Sequence, residues 1–189
     1  GDAQWTNKRR LSDEKLIDLI EHFSQMNLTV KEVPHDLMGD GYEYLISKFA
    51  DDAGHTAAEF YTNRTVVELM TRITDPHPGE SVYDPTCGSG GILLNSALYL
   101  KKQGKEYRNL KLYGQELNLI TSAIARMNMF MHAIDEFLIV QGDTLDSPQI
   151  LENDELKRFD VVMANPPYSI KRWSQAKWMN DPYGRNIWG

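Results

Sequence analysis

From Ser81 onward, short apolar runs alternate with helical stretches, and this alternation limits the possible folds more than any other property of the chain. The runs Ser81-Val-Tyr-Asp84, Leu110-Lys-Leu-Tyr-Gly-Gln115, Phe137-Leu-Ile-Val-Gln141 and Phe159-Asp-Val-Val-Met-Ala164 are short and bounded by turn residues. Such runs read as buried strands. Between the first three lie apolar-periodic stretches, from Ile92 to about Gln103 and from Ile120 to His132, which predict helices. A polar loop joins the third run to the fourth. The resulting β-α-β-α-β-loop-β succession predicts an α/β fold with a parallel sheet and right-handed crossovers.

The residues upstream read as helical. Ser12 can cap a helix with Asp13 and Glu14 in its first turn and Leu16, Ile17, Ile20 and Phe23 on one face. A second helix is expected from Tyr42 to Ala53, carrying Leu45, Ile46 and Phe49 and closed by Gly54. Arg64 to Thr74 forms a third, with Val66, Val67, Met70 and Ile73 apolar, before Pro76 and Pro78 break the chain.

Two motifs sit at strand ends. Asp84-Pro-Thr-Cys-Gly88-Ser-Gly90-Gly91 leads from the first strand into a helix, where glycines let a ligand approach the backbone closely. Asn165-Pro166-Pro167-Tyr168 follows the fourth strand and delivers an amide, two rigid prolines and an aromatic ring to the same carboxyl edge. Together they point to a nucleotide-like cofactor beside a flat, amine-bearing substrate. Glu116 ends the second strand, where dinucleotide-binding folds place a carboxylate for ribose hydroxyls. Asp143 ends the third and can accept from an exocyclic amine. Each feature also has a plainer reading, with the two acids as solvated turn residues and Asn-Pro-Pro as a turn signal.

Asn165 carries a chemical argument of its own. An aromatic amine is a poor nucleophile because its lone pair is delocalised, so the site needs acceptors and not a strong base. The Asn165 side-chain oxygen and the Pro166 carbonyl can take the two N–H groups, and Tyr168 can stack on an extruded base.

Composition excludes several classes. A formal net charge of -7 over 189 residues argues against a whole-surface nucleic-acid binder. The tail qualifies this, because Lys171, Arg172, Lys177 and Arg185 lie there with Trp173, Trp178 and Trp188, a mixture suited to a nucleic-acid path or a protein interface. Cys87 is the single cysteine, which rules out an internal disulfide and makes a zinc cluster implausible, and with no base near it in sequence it reads as a small packed residue. No apolar run approaches a membrane span, so a soluble chain is expected, and the single cysteine suits a reducing cytoplasm. The spacing Gly-x-Gly-Gly lacks the third glycine of the dinucleotide fingerprint, and no Gly-Lys-Ser/Thr follows for a phosphate loop.

With Ala58-Glu-Phe-Tyr-Thr62 upstream, these motifs resemble those of S-adenosylmethionine-dependent N6-adenine DNA methyltransferases, and most closely the modification (M) subunit of type I restriction-modification systems. Tyr42-Glu-Tyr-Leu45, Tyr113-Gly-Gln-Glu-Leu-Asn118, Gly142-Asp-Thr-Leu145 and Asn180-Asp-Pro-Tyr-Gly-Arg185 extend the resemblance over about residues 36 to 189. It implies a Rossmann-like methyltransferase fold, here a partial parallel sheet over residues 58–189 preceded by a helical segment over 1–57. It also implies that Phe60, Tyr61 and Thr62 meet the methionine end of S-adenosylmethionine above Asp84, Gly88 and Gly90. Glu116 would hold the ribose, Asp143 the adenine amine, and Leu117 or Ile120 would cover the ring. Asn165, Pro166 and Tyr168 would serve the flipped adenine. The implied partners are double-stranded DNA, a specificity (S) subunit, a second M subunit and a restriction (R) subunit.

The chain departs from the family pattern at Asn63, where proline is usual, and in length, since the fold ordinarily continues past the fourth strand. It therefore reads as an N-terminal fragment. The rival readings are a methyltransferase acting on RNA or protein glutamine, because Asn-Pro-Pro-Tyr suits any planar amine or amide nitrogen, and a cofactor-binding or assembly module inactive on its own.

Overall fold

The computed structural model describes residues 12–27, 29, 31–33, 35–52, 62–168 and 175–187. Helix α1, Asp13–Ser24, begins at the expected cap, where the Ser12 hydroxyl accepts a hydrogen bond from the Lys15 N–H at 3.3 Å. None of its residues is buried, so its apolar face has no partner among the described residues. Helix α2 spans His35–Asp52 and starts seven residues before the expected Tyr42. The early start runs through Gly39 and Gly41, which disfavour helix on propensity. Packing overrides propensity at Gly39, where a Cβ atom would lie 2.5 Å from the buried His132 ring. Only hydrogen fits there.

Helix α3, Arg64–Thr74, has the expected bounds, with Asn63 as its N-cap accepting from the Thr65 N–H at 2.9 Å. Asn63 thus does at this helix start what a proline cannot, since it supplies a side-chain acceptor. Val67 and Thr71 are buried against the core, whereas Ile73 is 74% exposed. The helix closes at Asp75 in the left-handed region, and Pro76 is fully buried beyond it.

Strand β1, Ser81–Asp84, is followed by helix α4, Gly91–Lys102; strand β2, Lys111–Glu116, by helix α5, Leu119–Met131; and strand β3 is Phe137–Gln141. The polar loop then holds a minimal antiparallel hairpin, β4 at Leu151–Glu152 and β5 at Glu155–Leu156, turned by Asn153 and Asp154 at positive φ. Of the fourth apolar run, only Val161–Val162 pairs, as β6. A short helix α6, Gln175–Trp178, lies near the end of the described chain.

The main sheet has the order β3-β2-β1-β6 with every pairing parallel, as the crossover argument requires. Val82, Leu112 and Ile139 of the sheet pack with Leu93, Leu94, Ala97 and Leu100 of α4 and Ala125 and Met129 of α5 in one core. Strands β1 and β6 are tied at their starts. The Ser81 N–H and hydroxyl both donate to Asp160 Oδ2, at 2.8 and 2.7 Å, and these bonds hold the Asp160 carboxyl below its ordinary pKa. Tyr83 stacks on Phe159 with ring centroids 4.4 Å apart, fixing β6 beside β1.

Candidate functional site at the carboxyl edge of the sheet

The sheet order sets out the candidate residues in space. Read across β3-β2-β1-β6, the strand ends present Asp143, Glu116, Asp84 and Asn165 along one edge, where open α/β sheets bind ligands.

Asp84 is the buried member, 1% exposed. Burial pushes its pKa up from 3.8 to about 7, against the Thr86 N–H that bonds its Oδ1 at 3.0 Å and with the help of the neighbouring Glu116 carboxylate. A carboxyl so placed gains from any cation that comes near it. After Asp84 the chain turns through Gly88 at φ +53° and Gly90 at φ +82°, both in the region that favours glycine. Gly90 serves packing as well as ligand approach, since a Cβ there would lie 2.9 Å from Met129 Cε and 3.4 Å from Ala125 Cβ on α5. As N-cap of α4, Gly90 has no side chain to occupy the first-turn N–H groups, which leaves them suited to an anionic ligand group.

Glu116 braces this turn. Its Oε2 accepts from the Gly88 N–H at 3.0 Å and its Oε1 from the Asn118 N–H at 2.8 Å. The carboxylate thus shapes the glycine loop itself, a role that strand-end position alone did not reveal. Cys87 is buried, its thiol pKa pushed up by burial and by the nearby Asp84 and Glu116 charges. Its sulfur fills the space a Cβ on Gly114 would take, at 2.9 Å, so the packed reading of Cys87 holds.

Asp143 Oδ1 accepts from the N–H groups of Leu145 and Asp146, at 2.9 and 3.2 Å. The next residue ties this loop to the first motif, because the Thr144 hydroxyl donates to the Pro85 carbonyl at 2.5 Å. Gln115, fully buried on β2, holds the far end of the loop by donating to the Ser147 carbonyl and accepting from the Gln149 N–H, at 2.9 and 3.0 Å.

Asn165 Nδ2 donates to Thr62 Oγ1 at 3.2 Å, across more than a hundred residues, and the Tyr168 hydroxyl donates to Asn165 Oδ1 at 3.3 Å. Thr62 and the Asn-Pro-Pro-Tyr segment therefore meet, a contact that the resemblance, which assigns Thr62 to the methionine end of the cofactor, did not anticipate. Pro166 is exposed, and Tyr168, at 83% exposure, presents its ring to solvent. Phe60 and Tyr61 lie outside the described residues, as do Gly54, Lys171, Arg172, Trp173 and Trp188.

The sequence placed Arg185 in a basic tail and at the end of the Asn180-Asp-Pro-Tyr-Gly-Arg185 motif, without a role of its own. The fold makes it a clamp. Its guanidinium pairs with Asp181 at 2.6 Å, donates to the Thr144 carbonyl at 2.6 Å and to the Leu145 carbonyl at 2.9 Å, and lies over the Trp178 and Tyr183 rings. The available signal was the spacing Trp178, Asp181, Tyr183, Arg185, an acid and two rings within one turn or two of a fork-shaped cation.

Fold and strand-edge layout define a Rossmann-like methyltransferase domain. Comparison with known proteins then specifies it: residues 33–187 match the family model described as N-6 DNA Methylase, and the chain belongs to that family. It is 39% identical over 177 residues to a type I restriction enzyme MpnII methylase subunit of Mycoplasma pneumoniae, covering 88% of this chain and 32% of the relative. It is 33% identical over 148 residues to the HindI methylase subunit of Haemophilus influenzae, covering 78% and 32%. The crystal structure of the type I restriction-modification system methyltransferase subunit from Streptococcus thermophilus superposes with a TM-score of 0.74 at 33% identity, covering 90% of this chain and 36% of that one. The chain spans about a third of the length of these relatives.

Proposed function

We propose that the chain carries the cofactor-binding and base-acceptor part of an N6-adenine DNA methyltransferase, the M subunit of a type I restriction-modification system. The observation that carries this reading is the row Asp143, Glu116, Asp84 and Asn165 at successive strand ends. The acidic, glycine-lined row suits S-adenosylmethionine, a cation bearing ribose hydroxyls and an adenine amine. Asp84 is buried where positive charge would be welcome, and the uncapped start of α4 suits the cofactor's carboxylate. When bound, S-adenosylmethionine supplies a methyl group activated by its sulfonium, and the carbon–sulfur bond breaks with its electron pair going to sulfur.

The chain's own residues then have distinct tasks. Glu116 keeps the Gly88 turn in shape and offers its carboxylate to ribose hydroxyls. Asp143 offers an oxygen to the adenine amine. Thr62 fixes the Asn165 amide through its Nδ2, which turns Oδ1 outward as an acceptor. That oxygen, now bonded by the Tyr168 hydroxyl, would receive an N–H of the target amine instead. An amide oxygen is too weak a base to remove the proton. It orients the lone pair, and the proton leaves to water after transfer. Tyr168 is exposed enough to stack on an extruded base.

The net charge of -7 supports borrowed affinity for double-stranded DNA, supplied by a specificity subunit together with a second M subunit and the restriction subunit. The family's description, N-6 DNA Methylase, favours DNA over RNA or protein glutamine as substrate. Within the proposal, residues 1–57 are the N-terminal helical segment and 58–189 the cofactor-binding half of the methyltransferase domain. Titration calorimetry with S-adenosylhomocysteine, and with NAD as control, tests the reading: binding of the first alone is expected, and binding of NAD alone would overturn it.

A further inference from the structure

The hydrogen bonds around residues 143–146 form a relay. Arg185 Nη1 donates to the Thr144 carbonyl at 2.6 Å, and the N–H of that same peptide unit, on Leu145, donates to Asp143 Oδ1 at 2.9 Å. Arg185 Nη2 donates to the Leu145 carbonyl at 2.9 Å, and the N–H of that unit, on Asp146, donates to the same Oδ1 at 3.2 Å. One guanidinium thus grips from behind the two peptide planes that hold the Asp143 carboxylate from in front. We propose that Arg185 is a positioning residue for adenine recognition, acting on Asp143 through these two peptide units without touching the cofactor. The inference rests on the functional reading above.

Three observations support it. A cation on the carbonyl side of a peptide polarises its N–H, so each unit donates more strongly to a carboxylate, and both bonds converge on one oxygen. This leaves the direction of the carboxylate determined and its second oxygen the one offered to a ligand. Arg185 is itself fixed: its Nε and Nη2 grip Asp181, whose side chain is 1% exposed, and its Cζ lies 5.1 Å from the Trp178 ring centroid. The segment bearing it is fixed in turn, because Asn186 Nδ2 donates to the Trp178 and Met179 carbonyls and Lys177 pairs with Asp146 at 2.7 Å. Since this segment follows the Asn-Pro-Pro-Tyr motif in the chain and seats on the loop of the cofactor's adenine, it joins the two halves of the reaction centre.

A lysine cannot reproduce this geometry, having a point charge where the fork spans two carbonyls and an acid. In the intact protein, Arg185→Ala should weaken S-adenosylhomocysteine binding roughly ten- to a hundredfold, and Arg185→Lys should recover only part of it. The discriminating probe is S-inosylhomocysteine, which has a carbonyl where adenine has its amine. The unaltered protein should prefer the adenosyl compound, and both variants should lose much of that preference. Equal weakening toward both compounds, with the preference intact, would reduce Arg185 to a general structural role and overturn the inference, as would unchanged affinity. Failure of the unaltered protein to bind either compound would instead overturn the proposed function and the inference with it. Should the alanine variant not fold, Arg185→Lys is read in the same way.

Discussion

Replacing Asp84 by asparagine should stabilise the fold in a pH-dependent manner while weakening the cofactor site. Asp84 is buried and its pKa is raised from 3.8 to about 7. A group whose folded value is raised by burial is protonated in the fold while the unfolded chain has already ionised, so stability falls as pH rises from about 4 to about 7 and is level above. At about 1.4 kcal/mol per pH unit, the loss by neutral pH is about 4 kcal/mol. Asparagine escapes this loss, and its Oδ1 can keep the bond from the Thr86 N–H. Urea unfolding should therefore show Asp84→Asn and the parent nearly equal near pH 4, and the variant more stable by about 2–4 kcal/mol at pH 8. Calorimetry at pH 8 should show weaker S-adenosylmethionine binding by the variant, because a cation would otherwise recover the ionised form. Parallel stability curves for the two proteins from pH 4 to 8 would refute the buried-acid argument.

Three other expectations can be checked directly. Gly90→Ala meets both a positive φ and Met129 Cε, so it should cost roughly 2–4 kcal/mol in denaturant unfolding, whereas Gly91→Ala, with open space around its Cβ position, should cost little. Glu116→Ala should lower cofactor affinity by roughly 1–3 kcal/mol, more than Glu116→Gln, which retains an acceptor for the Gly88 N–H; equal losses in calorimetry would remove the bracing role. In the full-length enzyme, Asn165→Ala should abolish most methyl transfer in a single-turnover assay with cofactor affinity nearly unchanged, and loss of both together would mark Asn165 as structural.

The strands, crossovers and the bounds of α3 were legible because each depends on local patterning: β-branched runs, helical periodicity, an N-cap. What was not legible depends on distant partners. Helix α2 begins early because Gly39 abuts His132, a contact no window of sequence contains. The fourth strand is shorter than its apolar run, since pairing with β1 extends only across Val82 and Tyr83. The Asn153-Asp154 turn was a readable hairpin signal, obscured by flanks with little apolar alternation. Among site residues, position on a strand end anticipated where Glu116 and Asp143 would lie but not that both would grip backbone N–H groups. Arg185 escaped because side-chain bonds to carbonyls forty residues away leave no periodic trace.

Gln115 has a bearing on motion. Because an amide buried in the central sheet holds both Ser147 and Gln149, the loop that carries Asp143 is fastened from beneath as well as from above. Releasing it from below exposes an unsatisfied amide inside the core, so opening of this loop is thermodynamically tied to loosening of β2. The Gln149 N–H should accordingly exchange with solvent on the slow timescale of the sheet and not on that of a surface turn. If this loop holds the cofactor's adenine as proposed, its pocket is ready before the ligand arrives.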